Sequence, residues 1–164
     1  MSFQTNIQNK VTDLDTLLKS VSKWRLLSRK IAFTNGVFDL MHRGHVEYLM
    51  QAADCADELI IGLNSDASVR TLNKGENRPI QDENSRAIIL ASLSFVSAVV
   101  IFNEETPSKL IELISPDILI KGGDYQINEI AGSSFVLKNG GEVKTIPLVE
   151  GYSTSSIEQR IKNN

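Results

Sequence analysis

The sequence predicts an α/β fold: a five-stranded parallel sheet with helices on both faces. Two observations carry the prediction. Short apolar runs of strand length alternate along the chain with stretches of helical periodicity, the pattern of helices layered on a parallel sheet. One run, Glu58-Leu-Ile-Ile-Gly-Leu-Asn64, is apolar without polar alternation, as a strand covered on both faces must be. Right-handed crossovers would then bring the carboxyl ends of the strands together at one edge.

In chain order, Val11, Leu14, Leu17, Leu18, Val21 and Trp24 recur at helical spacing. An amphipathic helix therefore precedes the first strand, and residues 1–29 read as a helical extension that packs on the sheet or on a partner subunit. Residues 31–34 are the first strand. A glycine-bearing loop follows, then a helical segment over residues 46–56. Residues 58–64 are the second strand, and Asn64-Ser-Asp66 ends it and starts a helix to about residue 72, with Ser65 or Asp66 as its cap. Asn73-Lys-Gly-Glu-Asn-Arg-Pro79 is polar throughout and reads as a mobile loop. Residues 81–93 are helical and residues 96–102 form the third strand. Thr106 caps the next helix with Pro107 at its first position, and Leu110, Ile111 and Ile114 supply its apolar face. Asp117-Ile-Leu-Ile-Lys-Gly-Gly-Asp124 is the fourth strand running into a glycine turn. Residues 133–138 make a short helix closed by Asn139-Gly140-Gly141, and residues 142–146 are the fifth strand. The last helix opens at Ser153 and buries Ile157 and Ile161.

At 164 residues the chain is long enough for one domain with a real core. Apolar content of 41% and charged content of 23% are ordinary for a globular protein. A net charge of −3 argues against a general nucleic-acid binder. One cysteine forms no internal disulfide, which suits a reducing cytoplasm. The first ten residues show no signal-peptide pattern. The longest apolar run, residues 87–102, is interrupted by Ser92, Ser94 and Ser97 and is no membrane span.

Chemistry concentrates after the first strand, in Thr34-Asn-Gly-Val-Phe-Asp-Leu-Met-His-Arg-Gly-His45. Gly36 lets the backbone turn closely and Gly44 lets a ligand approach. A helix start offers unpaired N–H groups and a positive dipole end, which together attract phosphate. The only two histidines, His42 and His45, both lie here, three residues apart and able to face one side. Two imidazoles aimed at an anion can neutralise charge that develops on a phosphate. The alternatives are a polar helix cap with one packed histidine, or a metal site. The latter needs a third ligand, and neither Cys55 nor the scattered acids offers an obvious one. Four consecutive hydroxyl residues, Ser153, Thr154, Ser155 and Ser156, open the last helix. They make either a second anion cradle or one cap with solvated neighbours. Lys121, Gly122 and Gly123 fall on the same carboxyl edge, where ligands of open parallel sheets bind. Arg86 near a helix start opposes the dipole and hints at an anionic partner. No Gly-x-x-x-x-Gly-Lys-Ser/Thr and no Gly-x-Gly-x-x-Gly occurs.

The His-x-Gly-His pattern after Asn-Gly-Val-Phe-Asp, with Arg86 and Ser153-Thr-Ser-Ser-Ile, resembles the nucleotidyltransferase superfamily of cytidylyltransferase type. Within it, Thr34-Asn-Gly-Val-Phe-Asp39, Asn64-Ser-Asp-Ala-Ser68, Lys121-Gly-Gly-Asp-Tyr125, Glu129-Ile-Ala-Gly132 and Asn139-Gly-Gly-Glu-Val143 look most like the adenylyltransferase domain of the bacterial heptose-phosphate pathway. The resemblance implies a Rossmann-like nucleotidyltransferase domain over residues 30–164, here without the sugar kinase to which it is often fused. It implies transfer of AMP from ATP to D-glycero-β-D-manno-heptose 1-phosphate, giving ADP-heptose and pyrophosphate for lipopolysaccharide core synthesis. The alternative is a cytidylyltransferase acting on glycerol 3-phosphate or a related phosphate. Leu148 stands where glycerol-phosphate cytidylyltransferases usually carry Arg, which counts against it. By the resemblance, His42, His45, Arg86 and Lys74 are the catalytic candidates. Asn35, Gly36, Val37, Phe38, Gly44, Lys121, Gly122 and the four hydroxyl residues join the two histidines in binding the nucleotide. Asp39, Asn64, Asp66, Lys74, Arg78, Arg86 and Asp124 are the substrate-binding candidates. Mg²⁺ would bridge the phosphates, with Asp39 as a candidate contact. The implied partners are small molecules, not nucleic acid or membrane, and the implied state is a cytoplasmic homo-oligomer, a dimer in the first instance.

Overall fold

The computed structural model describes residues 2–72 and 78–163. The chain runs α1 (Phe3–Lys10), β1 (Val11–Thr12), α2 (Leu14–Leu26), β2 (Ile31–Gly36), α3 (Arg43–Ala53), β3 (Glu58–Asn64), α4 (Asp66–Thr71), α5 (Glu83–Ala91), β4 (Ala98–Phe102), α6 (Ser108–Ile114), β5 (Ile118–Gly122), α7 (Ser133–Lys138), β6 (Glu142–Ile146) and α8 (Thr154–Lys162). The strands form one sheet in the order β1-β4-β3-β2-β5-β6, parallel in every pair.

Six strands stand where five were expected. The sixth is β1, whose Val11 and Thr12 pair with Val99 and Val100 of β4. It divides the helical extension expected over residues 1–29 into α1 and α2, and takes Val11 from the head of the amphipathic helix expected there. Asp13 breaks the helical run by capping α2, its side chain accepting from the Thr16 N–H. The sheet thus crosses the boundary expected at residue 29, and Leu17 and Val21 of α2 are buried in the core.

Strand residues alternate between two apolar layers, as period two requires. Leu59, Ile61 and Leu63 pack with Leu49 and Ala52 of α3 and Ala87 and Leu90 of α5. Ile31, Phe33 and Ile60 pack on the opposite face with Leu17 of α2, Ile111 and Ile114 of α6 and Val136 of α7. β3 is buried along its whole length, because both layers cover it. Three local expectations differ. Pro107 is the cap of α6 rather than its first helical residue. Residues 81 and 82 lie before α5, which Asp82 caps through the Ser85 N–H. Ile161 is 68% exposed rather than buried. Among the described residues, no helix is long and apolar enough to cross a membrane.

The chain reverses its direction of travel across the sheet between β2 and β5. β2, β3, β4 and β1 extend to one side, β5 and β6 to the other. Ligands of open α/β sheets bind beyond the strand ends at such a switch point.

Candidate active site

The loop after β2 and the start of α3 occupy that switch point. His42 caps α3 with extended backbone, φ −141° and ψ 170°, while its side chain caps nothing. His45 lies one turn into the helix. The two rings stack, with centroids 3.9 Å apart and planes 22° apart, and Phe38 presents an edge to His45 at 5.5 Å. Nδ1 of both rings is buried without a hydrogen bond of normal geometry. Burial pushes both imidazoles below the ordinary histidine range, and His45 falls to about 4. The neighbouring His42 adds to that fall and the Leu40 carbonyl opposes it. Both rings are therefore neutral near pH 7.

The loop backbone is held in an unusual shape. Phe38, not a glycine, sits at φ +48°, the left-handed region that costs a side chain about 1 kcal/mol or more. Its ring folds over Gly36, where a Cβ would lie 2.8 Å from Phe38 Cε2. At Gly44 a Cβ would lie 3.0 Å from Tyr152 Cβ and 3.1 Å from the His42 ring. Only glycine lets the approach to α8 close over the start of α3.

Two buried charges brace this loop. Asp39 is 4% exposed. Its carboxylate accepts the N–H groups of Ile80 and Gln81 at 2.9 Å and the Arg78 guanidinium at 2.7 Å. Burial works to raise its pKa, but those donors outweigh it and hold the carboxyl below its ordinary value. Arg86 was expected at the substrate; instead its side chain is wholly buried. Nε donates to the Gln81 carbonyl at 3.0 Å, Nη1 to the Val37 carbonyl at 2.6 Å and Nη2 to Asp66 Oδ1 at 2.7 Å. The guanidinium stitches α5, α4 and the loop together rather than facing a ligand.

A cavity of about 470 Å³ opens above this frame. Its wall takes Asn35, Gly36, Val37, Phe38 and Asp39 from the β2 loop, and His45 and Tyr48 from α3. It takes Lys121, Gly122 and Tyr125 from the end of β5, and Thr154 and Ser155 from α8, with Val69, Arg78 and Leu148 completing it. His45 and the hydroxyl-rich tip of α8 thus border one space, while His42 lies off its wall, stacked on His45. The four hydroxyls divide their work. Ser153 and Ser156 form a reciprocal capping box, which leaves Thr154 and Ser155 for the cavity.

Other expected site residues lie off the wall. Asn64 is buried and donates to Ser68 Oγ at 2.9 Å, and Asp66 holds Arg86. Asp124 is exposed on the turn after β5 and does not line the cavity. Lys74 lies outside the described residues. Tyr48, Val69, Tyr125 and Leu148 border the cavity without having been expected there. Tyr48 follows His45 by three residues on one helix face, a spacing that could have flagged it. Its hydroxyl meets Thr34 Oγ1 at 2.6 Å, and burial pushes its pKa up to about 12 against that bond.

A family model described as cytidylyltransferase-like matches residues 33–160. The chain belongs to the cytidylyltransferase-like family. Among its relatives is the bifunctional protein HldE of Wolinella succinogenes, 49% identical over 163 residues, which are 99% of this chain and 33% of that protein. The HldE of Rhodospirillum rubrum is 49% identical over 153 residues, 93% of this chain and 31% of that protein. The chain spans about a third of the length of these curated relatives. A crystal structure of a lipopolysaccharide core biosynthesis protein from Thermoplasma volcanium superposes with a TM-score of 0.62 at 30% identity, covering 76% of this chain and 99% of that one. The pantoate-β-alanine ligase of Francisella tularensis shares the fold at a TM-score of 0.56 and 15% identity, over 93% of this chain and 76% of that one. These family relations make the chain a nucleotidyltransferase. Its residues do not build a magnesium cage: among the described residues no three His, Cys, Asp or Glu side chains converge, and Asp39, the candidate contact, already spends its oxygens on Arg78, Ile80 and Gln81.

Proposed function

We propose that this chain transfers the adenylyl group of ATP to a heptose 1-phosphate, D-glycero-β-D-manno-heptose 1-phosphate in the first instance, releasing pyrophosphate. One observation carries the reading. A single cavity at the switch point is bordered by His45, by Thr154 and Ser155, and by Lys121 and Gly122. The heptose substrate is supported by the HldE relatives at 49% identity.

The chemistry is an in-line displacement. An ionised oxygen of the sugar phosphate attacks the α-phosphorus of ATP. The new P–O bond forms as the bond to the α,β-bridging oxygen breaks, and pyrophosphate leaves with that electron pair. The nucleophile is already an anion, so no general base is required. The protein positions the reactants and meets the charge. Backbone N–H groups of the β2 loop and the start of α3 face the phosphates. His45 donates an imidazole N–H to the oxygens that gain charge at the α-phosphorus, with His42 stacked on it. Thr154 and Ser155 bind the departing phosphates from the opposite wall.

The test is pyrophosphate release with ATP and with CTP, each against heptose 1-phosphate, glycerol 3-phosphate and other sugar 1-phosphates. ATP with heptose 1-phosphate should exceed every other pair in kcat/KM by at least about a hundredfold. Faster turnover with CTP and glycerol 3-phosphate would replace this reading with the cytidylyl one.

A further inference from the structure

We infer that Glu158 is a positioning residue that seats the tip of α8 against the nucleotide cavity, acting through Arg78 and Asp39. The inference rests on the proposed adenylyl transfer for its kinetic consequence, but its mechanical part stands independently.

α8 is a lightly packed helix. None of its described side chains is fully buried, and Ile161, one of its two isoleucines, is 68% exposed. A helix without a buried apolar face gains little from tertiary packing. Yet Thr154 and Ser155 of this helix border the cavity, where small displacements change binding.

A chain of ion pairs supplies the missing constraint. Glu158 Oε1 lies 2.7 Å from Arg78 Nη2, and Arg78 Nη1 lies 2.7 Å from Asp39 Oδ2. Asp39 is itself pinned by the Ile80 and Gln81 N–H groups at 2.9 Å. The Glu158 side chain retains 31% exposure, Arg78 14% and Asp39 3%, so the linkage runs from solvent to the rigid end of β2. Glu158 follows Thr154 by four residues and shares its helix face. A hold on Glu158 therefore fixes the direction in which Thr154 points. Glu158 is not on the cavity wall, whereas Arg78 is, with both its terminal nitrogens committed to carboxylates. Glu158 thus acts on the ligand through the placement of α8.

The experiment uses the full chain with Glu158→Gln, Glu158→Ala and Glu158→Lys. Gln keeps an acceptor oxygen for Arg78, Ala removes it, and Lys sets two cations against each other. Amide exchange over residues 154–162 of the free protein should accelerate in that order, by about two- to fivefold between wild type and Ala, the range of a partly exposed ion pair. KM for ATP should rise in the same order and by a similar factor, while kcat stays within about twofold, because the reacting atoms are untouched. Partial recovery in Glu158→Gln relative to Ala separates the hydrogen bond from mere side-chain bulk. Unchanged exchange in Glu158→Lys would overturn the inference. Faster exchange with an unmoved KM for ATP would also overturn the positioning role. Faster exchange in a protein whose wild type turns over no ATP would support the tether and refute the adenylyl-transfer reading instead.

Discussion

Replacing Arg86 with Ala tests whether this residue supports the site or touches a ligand. The side chain is wholly buried and gives one hydrogen bond each to Gln81 O, Val37 O and Asp66 Oδ1. Removing one member of a buried ion pair costs about 3–5 kcal/mol. Asp66 keeps 21% side-chain exposure and can recover water, so the ion-pair share falls at the lower end of that range. The two carbonyls left without their charged donor add about 1 kcal/mol. The sum is about 4 kcal/mol, and in a domain of this size the melting temperature should fall by roughly 8–16 °C. Arg86→Lys keeps the charge but not the three-way fork, and should lose about half as much. The readouts are urea midpoints and thermal melts, followed by kinetics below the melting range. Val37 belongs to the loop that would bind the nucleotide, so both substrates' KM values and kcat should worsen together. A variant that melts within about 2 °C of wild type, with loss confined to the KM for sugar phosphate, would refute the reasoning and make Arg86 a ligand contact.

Four other outcomes follow from the same geometry. His45→Ala should reduce turnover by about a hundredfold or more with the fold intact; near-normal turnover would remove His45 from the chemistry. His45 titrates at about 4 in the fold and near 6.5 otherwise, so the unfolded chain binds more protons between those values. Its contribution to stability is therefore full above about pH 6.5 and is lost as the pH falls toward 4. Urea denaturation from pH 7 to pH 4.5 should show His45→Ala gaining on wild type as the pH drops. Phosphate beside the imidazoles should raise their proton affinity, so ATP binding at pH 6 should take up protons, read by calorimetry in buffers of different ionisation enthalpy; zero uptake would place the triphosphate elsewhere. Tyr48→Phe leaves Thr34 Oγ1 without its 2.6 Å partner and should cost about 1–2 kcal/mol, measured by urea denaturation.

Much of this architecture was legible because it is local. β3 and β4 are continuous apolar runs, and β2 and β5 open on three apolar residues each; a run of that kind has few other solutions. The paired histidines at a helix start were readable for the same reason. What escaped depends on distant partners. β1 has two residues, too few for a period, and Val11 also fits the helical spacing of the next segment. Arg86 looked like an anion receptor because its helix position is unfavourable for a cation. Asp66 and the Val37 carbonyl, which satisfy it, are 20 and 49 residues away in sequence. Asp39 and Arg78 likewise looked like separate ligand contacts, although each uses the other. Hydroxyl residues 153–156 were equivalent on paper, and only the capping box divides them into two that close the helix and two that border the cavity.

The sheet order has a consequence for self-association. One outer border is a two-residue strand, β1, and the other is β6, whose Glu142 and Lys144 carry an ion pair at 3.4 Å. Very short or charged borders resist pairing with a neighbouring backbone. Two copies joining into one continuous ribbon of strands would find little to zip against, so any assembly of this protein would have to proceed through its helical exterior, leaving the ladder of each molecule closed to its neighbours.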